Sequence, residues 1–414
     1  DPDPHTAGEV INIFARAAHA PTFSMRIDPV AVNLVPKGVR KVIGSLPPVE
    51  NTKKAVLGDL GIPEGVFSYI DWPTEFDATN TRAALLGTDI ACPPLEDYAW
   101  RLWDHWERHL DPDLFRDRSL RGAIEGRRVL VTGASAGIGK EVALLAGESG
   151  AHVLLVSRTE ETLREVADEV EQRGGTAAVY ACDLTDMDDI DRMSKQVLAD
   201  HGGVDVIVNN AGRSIRRSVR LSFDRFHDYE RTMQLNYFGT VKLILNLLPP
   251  MLEARRGHII NVSSIGVQTN TPRFSAYVAS KSALDAFSRC IASEIIDDNV
   301  HITTVYMPLV RTAMIAPTKM YDYFPALSPL EAGQLICDAM IDRPKKVATA
   351  LGNFGQILYS ISPKLTDQVL HTAYRLFPDS TAAKGGEGEK GEKRSERASA
   401  EGVAFAHLLK GIHW

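Results

Sequence analysis

The sequence predicts an α/β fold, a doubly wound parallel sheet of about seven strands with helices on both faces, and three observations point to it. From about Gly126 onward, short β-branched runs alternate with amphipathic stretches of helical length, the rhythm of parallel βαβ units. The loop Thr132-Gly133-Ala134-Ser135-Ala136-Gly137-Ile138-Gly139 follows the first such run and opens the first helical pattern. Asn209-Asn210-Ala211-Gly212 and Asn261-Val262-Ser263-Ser264 end two later runs, at the carboxyl ends of strands where an open α/β sheet keeps its ligand crevice.

Arg128 to Thr132, His152 to Ser157, Ala177 to Tyr180, Val204 to Val208, His258 to Val262 and Ile302 to Tyr306 read as buried strands, with a seventh expected at Lys346 to Ala350. Helical patterns begin near Ile138, Glu160, Met187, Phe226, Ala276 and Pro329. Right-handed crossovers between these elements give a Rossmann-type sheet over residues 119–381. Residues 1–118 lack that rhythm and the glycine loop; they read as a mainly helical fragment of a preceding domain plus a linker. The chain starts at Asp1 rather than Met, so its beginning is expected to be a cut inside a longer protein. The clearest early element is a helix from about Leu95 to His109, bounded by Pro93-Pro94 and Asp111-Pro112. Trp100, Trp103 and Trp106 recur along it and suggest a docking face. Residues 382–414 read as a disordered charged linker, Lys384 to Arg394, and an apolar tail from Phe405 to Trp414.

With 414 residues, 44% of them hydrophobic and 24% charged, the chain can bury a large core and holds more than one unit. A net charge of −7 and the absence of a long basic tract argue against a nucleic-acid partner. Cys92, Cys182, Cys290 and Cys337 have neither metal-site spacing nor a nucleophile motif. They suit a reducing, cytoplasmic compartment and predict no metal. No apolar stretch is long enough to span a bilayer: Val241 to Leu252 is interrupted by Lys242, Asn246, Pro249 and Pro250. The apolar positions from Ile357-Leu358-Tyr359 to Leu376-Phe377 can pack as a terminal helix, line an acyl tunnel or rest on a membrane surface.

The glycine loop presents backbone N–H groups and a helix N-terminus to a pyrophosphate. Ser157-Arg158, at the end of the second strand, stands where a carboxylate would hold the ribose hydroxyls of NAD; a cation there fits a 2′-phosphate. With the Ser135 hydroxyl in the loop, this favours NADPH over NADH. On a helix, Tyr277 and Lys281 of Tyr277-Val278-Ala279-Ser280-Lys281 share one face. An adjacent ammonium is expected to draw the phenol pKa down and make it a proton donor near neutral pH. Ser264 can donate a hydrogen bond to a substrate carbonyl oxygen. The implied chemistry is hydride transfer to a carbonyl.

These motifs, with their three-residue spacing between the first two glycines, resemble the short-chain dehydrogenase/reductase superfamily. The resemblance implies Asn236, Ser264, Tyr277 and Lys281 as the catalytic set, with Asn236 holding a water that links Lys281 to solvent. It implies a cofactor-binding set of Gly133, Ser135, Ala136, Gly137, Ile138, Gly139, Arg158, Asp183, Leu184, Asn210, Ala211, Gly212, Tyr277, Lys281, Val310 and Thr312, and a dimer or tetramer.

Closer likeness is carried by Asn210-Ala211-Gly212-Arg213-Ser214-Ile215-Arg216-Arg217, by Phe223 to Gly239, by Arg273-Phe274-Ser275-Ala276-Tyr277 and by Met307-Pro308-Leu309-Val310-Arg311-Thr312. These look like the bacterial fatty acyl-CoA reductases, which implies NADPH-dependent reduction of a long-chain acyl-CoA or acyl carrier protein thioester to the fatty aldehyde. The early segment, with Asn80 to Thr88 and the Trp-rich helix, resembles the end of the first domain of two-domain enzymes that continue to the alcohol. Arg213, Arg216, Arg217 and Arg220 would then lie near the crevice mouth, where some of them can meet substrate phosphates, or form a solvated basic loop. One departure is the loop Pro308 to Thr312, a residue shorter than the superfamily pattern and without its glycine. Two other readings compete: a reductase of free aldehydes or ketones, and a non-catalytic NADPH-binding module of a larger assembly.

Overall fold

A computed structural model describes residues 5–20, 22, 77–91, 93–109, 117–315, 321, 324–376 and 379. The expected linker and tail at 382–414, and Cys92, lie outside the described residues. The chain divides into two units, residues 1–116 and 117–414.

Among the described residues of the first unit the helices are α1 (Ala7–Ala17), α2 (Thr79–Leu85) and α3 (Leu95–His109). Thr6 caps α1 in a reciprocal arrangement with Glu9, which satisfies two N-terminal donors at once. Helices α1 and α3 pack together, burying Ile13 and Ala99. The Trp103 and Trp106 rings lie 5.2 Å apart, while Trp100 stays exposed.

The second unit contains a seven-stranded parallel sheet in the order β3-β2-β1-β4-β5-β6-β7. The strands are β1 (Arg128–Thr132), β2 (His152–Ser157), β3 (Thr176–Ala181), β4 (Val206–Asn209), β5 (Gly257–Ser264), β6 (Val300–Met307) and β7 (Lys346–Val347). Its helices are α4 (Leu120–Ile124), α5 (Gly137–Glu148), α6 (Glu160–Gln172), α7 (Met187–His201), α8 (His227–Met233), α9 (Thr240–Glu253), α10 (Ile265–Thr269), α11 (Ser275–Glu294), α12 (Pro329–Asp342), α13 (Ala350–Ile361) and α14 (Pro363–Leu376). A wider π-helical turn, Gln234–Gly239, joins α8 to α9.

Alternation along each strand divides two cores. Val129 and Val131 face a cluster with α5, α6 and α12. Leu130 faces the other way, toward α7 and α9, with α11 against its edge. The winding direction reverses between β1 and β4, so the loops after these two strands flank the switch point where a ligand crevice forms.

Five strand expectations shift at their ends: β3, β5 and β6 run one or two residues longer at each end than expected, β4 moves along the chain and β7 is cut short. β4 begins at Val206, just after Asp205, whose carboxylate accepts from the Arg128 backbone N–H and guanidinium, each at 2.9 Å, and from Arg256 at 2.7 Å. β7 stops at Val347 instead of running to Ala350, since the Thr349 side chain accepts the Gly352 N–H at 3.1 Å and starts α13. Pro249 and Pro250 interrupt the apolar run without ending the helix, for α9 continues to Glu253. Among the described residues no helix is long and apolar enough to cross a membrane.

Candidate active site

Glycine geometry makes the first half of the crevice. Gly133 and Gly137 have φ of +65° and +58°, in the left-handed region. Gly139 is needed for space: a Cβ there would stand 2.3 Å from the Gly133 carbonyl oxygen and 2.6 Å from Asn210 Nδ2. Ala136 precedes α5 and offers no side-chain cap, so among the described residues no capping side chain takes up the first N–H groups of this helix.

Thr132 joins the two loops of the switch point. Its Oγ1 accepts the N–H groups of Asn210 and Ala211, both at 3.0 Å, while Asn210 Nδ2 donates to the Thr132 carbonyl at 3.0 Å. At the end of β2, the Ser157 hydroxyl is buried with no hydrogen-bond partner among the described residues, and Arg158 beside it is exposed. After β3, the Asp183 carboxylate turns back on the Thr185 N–H at 2.9 Å, and Leu184 is buried beneath the π-turn, where Gly239 lets the Leu184 carbonyl approach. The shortened loop after β6 is fastened by a bridge between Val310 and Leu327, and the Thr312 methyl sits 3.3 Å from where a Gly137 Cβ would be. Ser135 is half-buried in the same loop.

The second half collects the polar side chains. Asn236, fully buried in the π-turn, donates to the Arg213 carbonyl and the Ser280 hydroxyl, each at 2.9 Å, and accepts the Arg213 N–H at 2.8 Å. Ser280 in turn donates to the Tyr277 carbonyl at 2.7 Å. Lys281, 3% exposed, donates from Nζ to the Val262 carbonyl at 2.7 Å. Its Nζ and Asn236 Oδ1 lie 3.4 and 3.3 Å from where a Gly212 Cβ would be, so β4's loop, the π-turn and α11 converge.

The expected drawing-down of the Tyr277 phenol is corrected. Burial raises its pKa above the ordinary value, and the hydrogen bond with Ser264 only partly offsets this. Burial likewise pulls Lys281 down to about 8. Desolvation disfavours the charged form of each group, and the Lys281 ammonium is occupied by a carbonyl. What the site does supply is a half-buried, protonated phenol within the influence of the Ser264 hydroxyl, which itself accepts the Gly266 N–H at 3.1 Å.

Of the arginines, Arg213 is exposed and Arg216 is half-buried. Arg217 is committed elsewhere: its Nε lies 3.0 Å from the buried Asp228 carboxylate, which Arg225 also meets at 3.3 Å. Ser280 and Thr132, which the motif spelling contained without assigned work, turn out to tie the loops together.

A family model described as short chain dehydrogenase matches residues 127–320. Over 295 residues the chain is 54% identical to a fatty acyl-CoA reductase of Acinetobacter baylyi, an alignment spanning 71% of this chain and 97% of the relative. The chain belongs to the short-chain dehydrogenase family. This dehydrogenase is also 44% identical over 264 residues, 63% of its length and 90% of the relative's, to a fatty acyl-CoA reductase of Mycobacterium tuberculosis. Among solved structures, a metagenomic short-chain oxidoreductase in complex with NADP is 30% identical with a TM-score of 0.48, covering 54% of this chain and 97% of that one. The family makes the chain an oxidoreductase; its substrate and cofactor are questions for its own residues.

Proposed function

We propose that this dehydrogenase reduces a long-chain fatty acyl thioester to the fatty aldehyde with NADPH. Three findings support the substrate: the 54% identity to the Acinetobacter baylyi fatty acyl-CoA reductase over nearly all of that protein, the 44% identity to the second such reductase, and a crevice edged by the exposed Arg213. The single observation carrying the chemistry is a half-buried Tyr277 phenol, kept protonated by desolvation, on which the Ser264 hydroxyl is near enough to act.

The residues present fit the cofactor. The glycine loop has left-handed turns, no room for a Cβ at Gly139 and uncapped N–H groups, as a pyrophosphate requires. The orphaned Ser157 hydroxyl and exposed Arg158 give the adenine-ribose end a donor and a cation, as a 2′-phosphate requires. Bound NADPH supplies a hydride to the thioester carbonyl carbon. As the carbonyl electrons move to oxygen, Ser264 and Tyr277 hold the developing oxyanion by hydrogen bonds. The carbonyl reforms, the C–S bond breaks, and the sulfur leaves as the thiol with the proton that Tyr277 gives up and regains from solvent. Two electrons reach carbon, one proton reaches sulfur, and no protein nucleophile is consumed. Lys281 and the Asn236 amide, both buried, fix the floor beneath Tyr277.

A lipid contact completes the proposal. Phe354, Ile357 and Ile361 recur at helical spacing along α13, Leu365 and Val369 do so along α14, and all five are exposed. α13 has no charged residue, while Lys345 and Lys346 precede it and Lys364 follows. An apolar row flanked by cations suits an anionic membrane surface. Paired Ile357→Asp and Ile361→Asp should release the protein from anionic vesicles in a sedimentation assay; undiminished binding would remove this surface.

Palmitoyl-CoA with NADPH should yield one free thiol and one fatty aldehyde per NADPH oxidised. Turnover of free aldehyde with no thiol release from acyl-CoA would replace the proposal with the aldehyde-reductase reading.

A further inference from the structure

Beyond the segment that the family model matches, the chain returns to the crevice. Asp379, just past α14, accepts a hydrogen bond from Arg273 Nε at 2.9 Å and from the Ser218 N–H at 3.2 Å. Arg273 also donates from Nη1 to the Tyr374 carbonyl at 3.1 Å, and its guanidinium lies 3.9 Å from the centre of the Tyr374 ring. The side chains of Arg273 and Asp379 are 6% and 14% exposed. A charged pair this deep is costly unless every group is partnered, and here the partners come from the far end of the domain.

Arg273 stands four residues before Tyr277, in the turn that opens α11. Its φ of +71° is left-handed, a conformation an arginine keeps only where its surroundings impose it. Its carbonyl accepts the Arg217 N–H at 2.7 Å. Phe274 stacks edge-on toward Tyr277 with ring centres 6.3 Å apart, and the Ser275 hydroxyl pairs with the Tyr229 hydroxyl at 2.8 Å. Arg216 is near enough to Arg273 and Asp379 to feel both charges. One residue therefore fastens three segments: the arginine loop after β4, the start of the Tyr277 helix and the end of the domain.

We propose that Arg273 is a positioning residue, which through its ion pair with Asp379 sets both the Tyr277 phenol and the loop bearing Arg213 and Arg216, so that turnover depends on the C-terminal end of the domain. The inference rests on the role given above to Tyr277, but on no particular substrate. Neither residue touches the reacting atoms. The pair acts through backbone placement, and small displacements of a proton donor are costly in rate.

The test uses the full chain, assayed on whichever carbonyl compound the parent turns over, so that failure of the acyl-thioester reading stays separate from failure here. Asp379→Asn and Arg273→Gln should each lower kcat by on the order of 10- to 100-fold, with the Kd for NADPH, read by fluorescence, unchanged. The double variant should be no slower than the slower single, because both remove one interaction. Arg273→Lys keeps the charge but loses the two-pronged grip and ring contact; it should retain its fold and fall between parent and Arg273→Gln. Parent-level kcat in Asp379→Asn with only a lower Tm would overturn the proposal, as would parent-level kcat in Arg273→Lys or additive losses in the double variant.

Discussion

The two halves of the crevice are built by different means. Around the glycine loop, shape comes from the backbone: Gly133 and Gly137 take left-handed turns, and Gly139 leaves no room for a methyl group. Across the switch point, shape comes from side chains that reach over long stretches of sequence, Asn236 to Arg213 and Ser280, and Arg273 to Asp379. A site made by backbone tolerates almost no substitution at its glycines, whereas a site made by side chains can be loosened in steps. That difference separates a half suited to one fixed ligand from a half suited to variable substrates.

The sharpest way to break the comparison is Gly139→Ala. The added Cβ would meet the Gly133 carbonyl oxygen at 2.3 Å, backbone that cannot swing away, so a loss of about 1–3 kcal/mol in stability is expected. Cofactor affinity should fall with it; calorimetry with NADPH checks both, and parent-like values would contradict a backbone-made half. Arg158→Ala should be next in size. It should weaken NADPH by about 1.5–3 kcal/mol, the worth of a hydrogen bond to a charged group, while NADH affinity stays nearly level. Equal losses for the two would remove the 2′-phosphate role.

The smallest effect is one of pH. Lys281 is held down to about 8 by burial, so it is charged below that value and neutral above it. If its ammonium supports Tyr277, turnover should decline as pH rises through about 8, and Lys281→Met should erase that inflection. Stability should move the other way. A buried ammonium penalises the folded state at neutral pH, and the penalty is relieved as pH rises from about 8 toward the ordinary 10.5. A flat rate profile in the parent would contradict the first expectation, and a flat melting profile the second.

The backbone-made half was legible in the chain because glycine spacing and strand rhythm are local. All seven strands stand where β-branched runs occur, and the loop motifs sit at their carboxyl ends. The side-chain half was legible only in part. Asn236 carries no local mark of the π-turn that buries it. Arg217 looks like its neighbours in sequence, yet only the fold brings it to Asp228. Arg273 and Asp379 are 106 positions apart, beyond any periodicity. The Tyr277 pKa runs opposite to the helix-face expectation, because four-residue spacing tells neither the desolvation that raises it nor that the Lys281 ammonium is given to the Val262 carbonyl.

The claim on which all of this depends is that Tyr277 serves first as the proton donor of the side-chain half and adds little to the grip on the cofactor that the backbone half provides. The most direct measurement is a single-turnover assay of NADPH oxidation with palmitoyl-CoA, run on the parent and on Tyr277→Phe beside a titration of NADPH binding. The account predicts a fall in rate on the order of 10²–10⁴-fold with NADPH affinity unchanged. Turnover at the parent rate in Tyr277→Phe would contradict it.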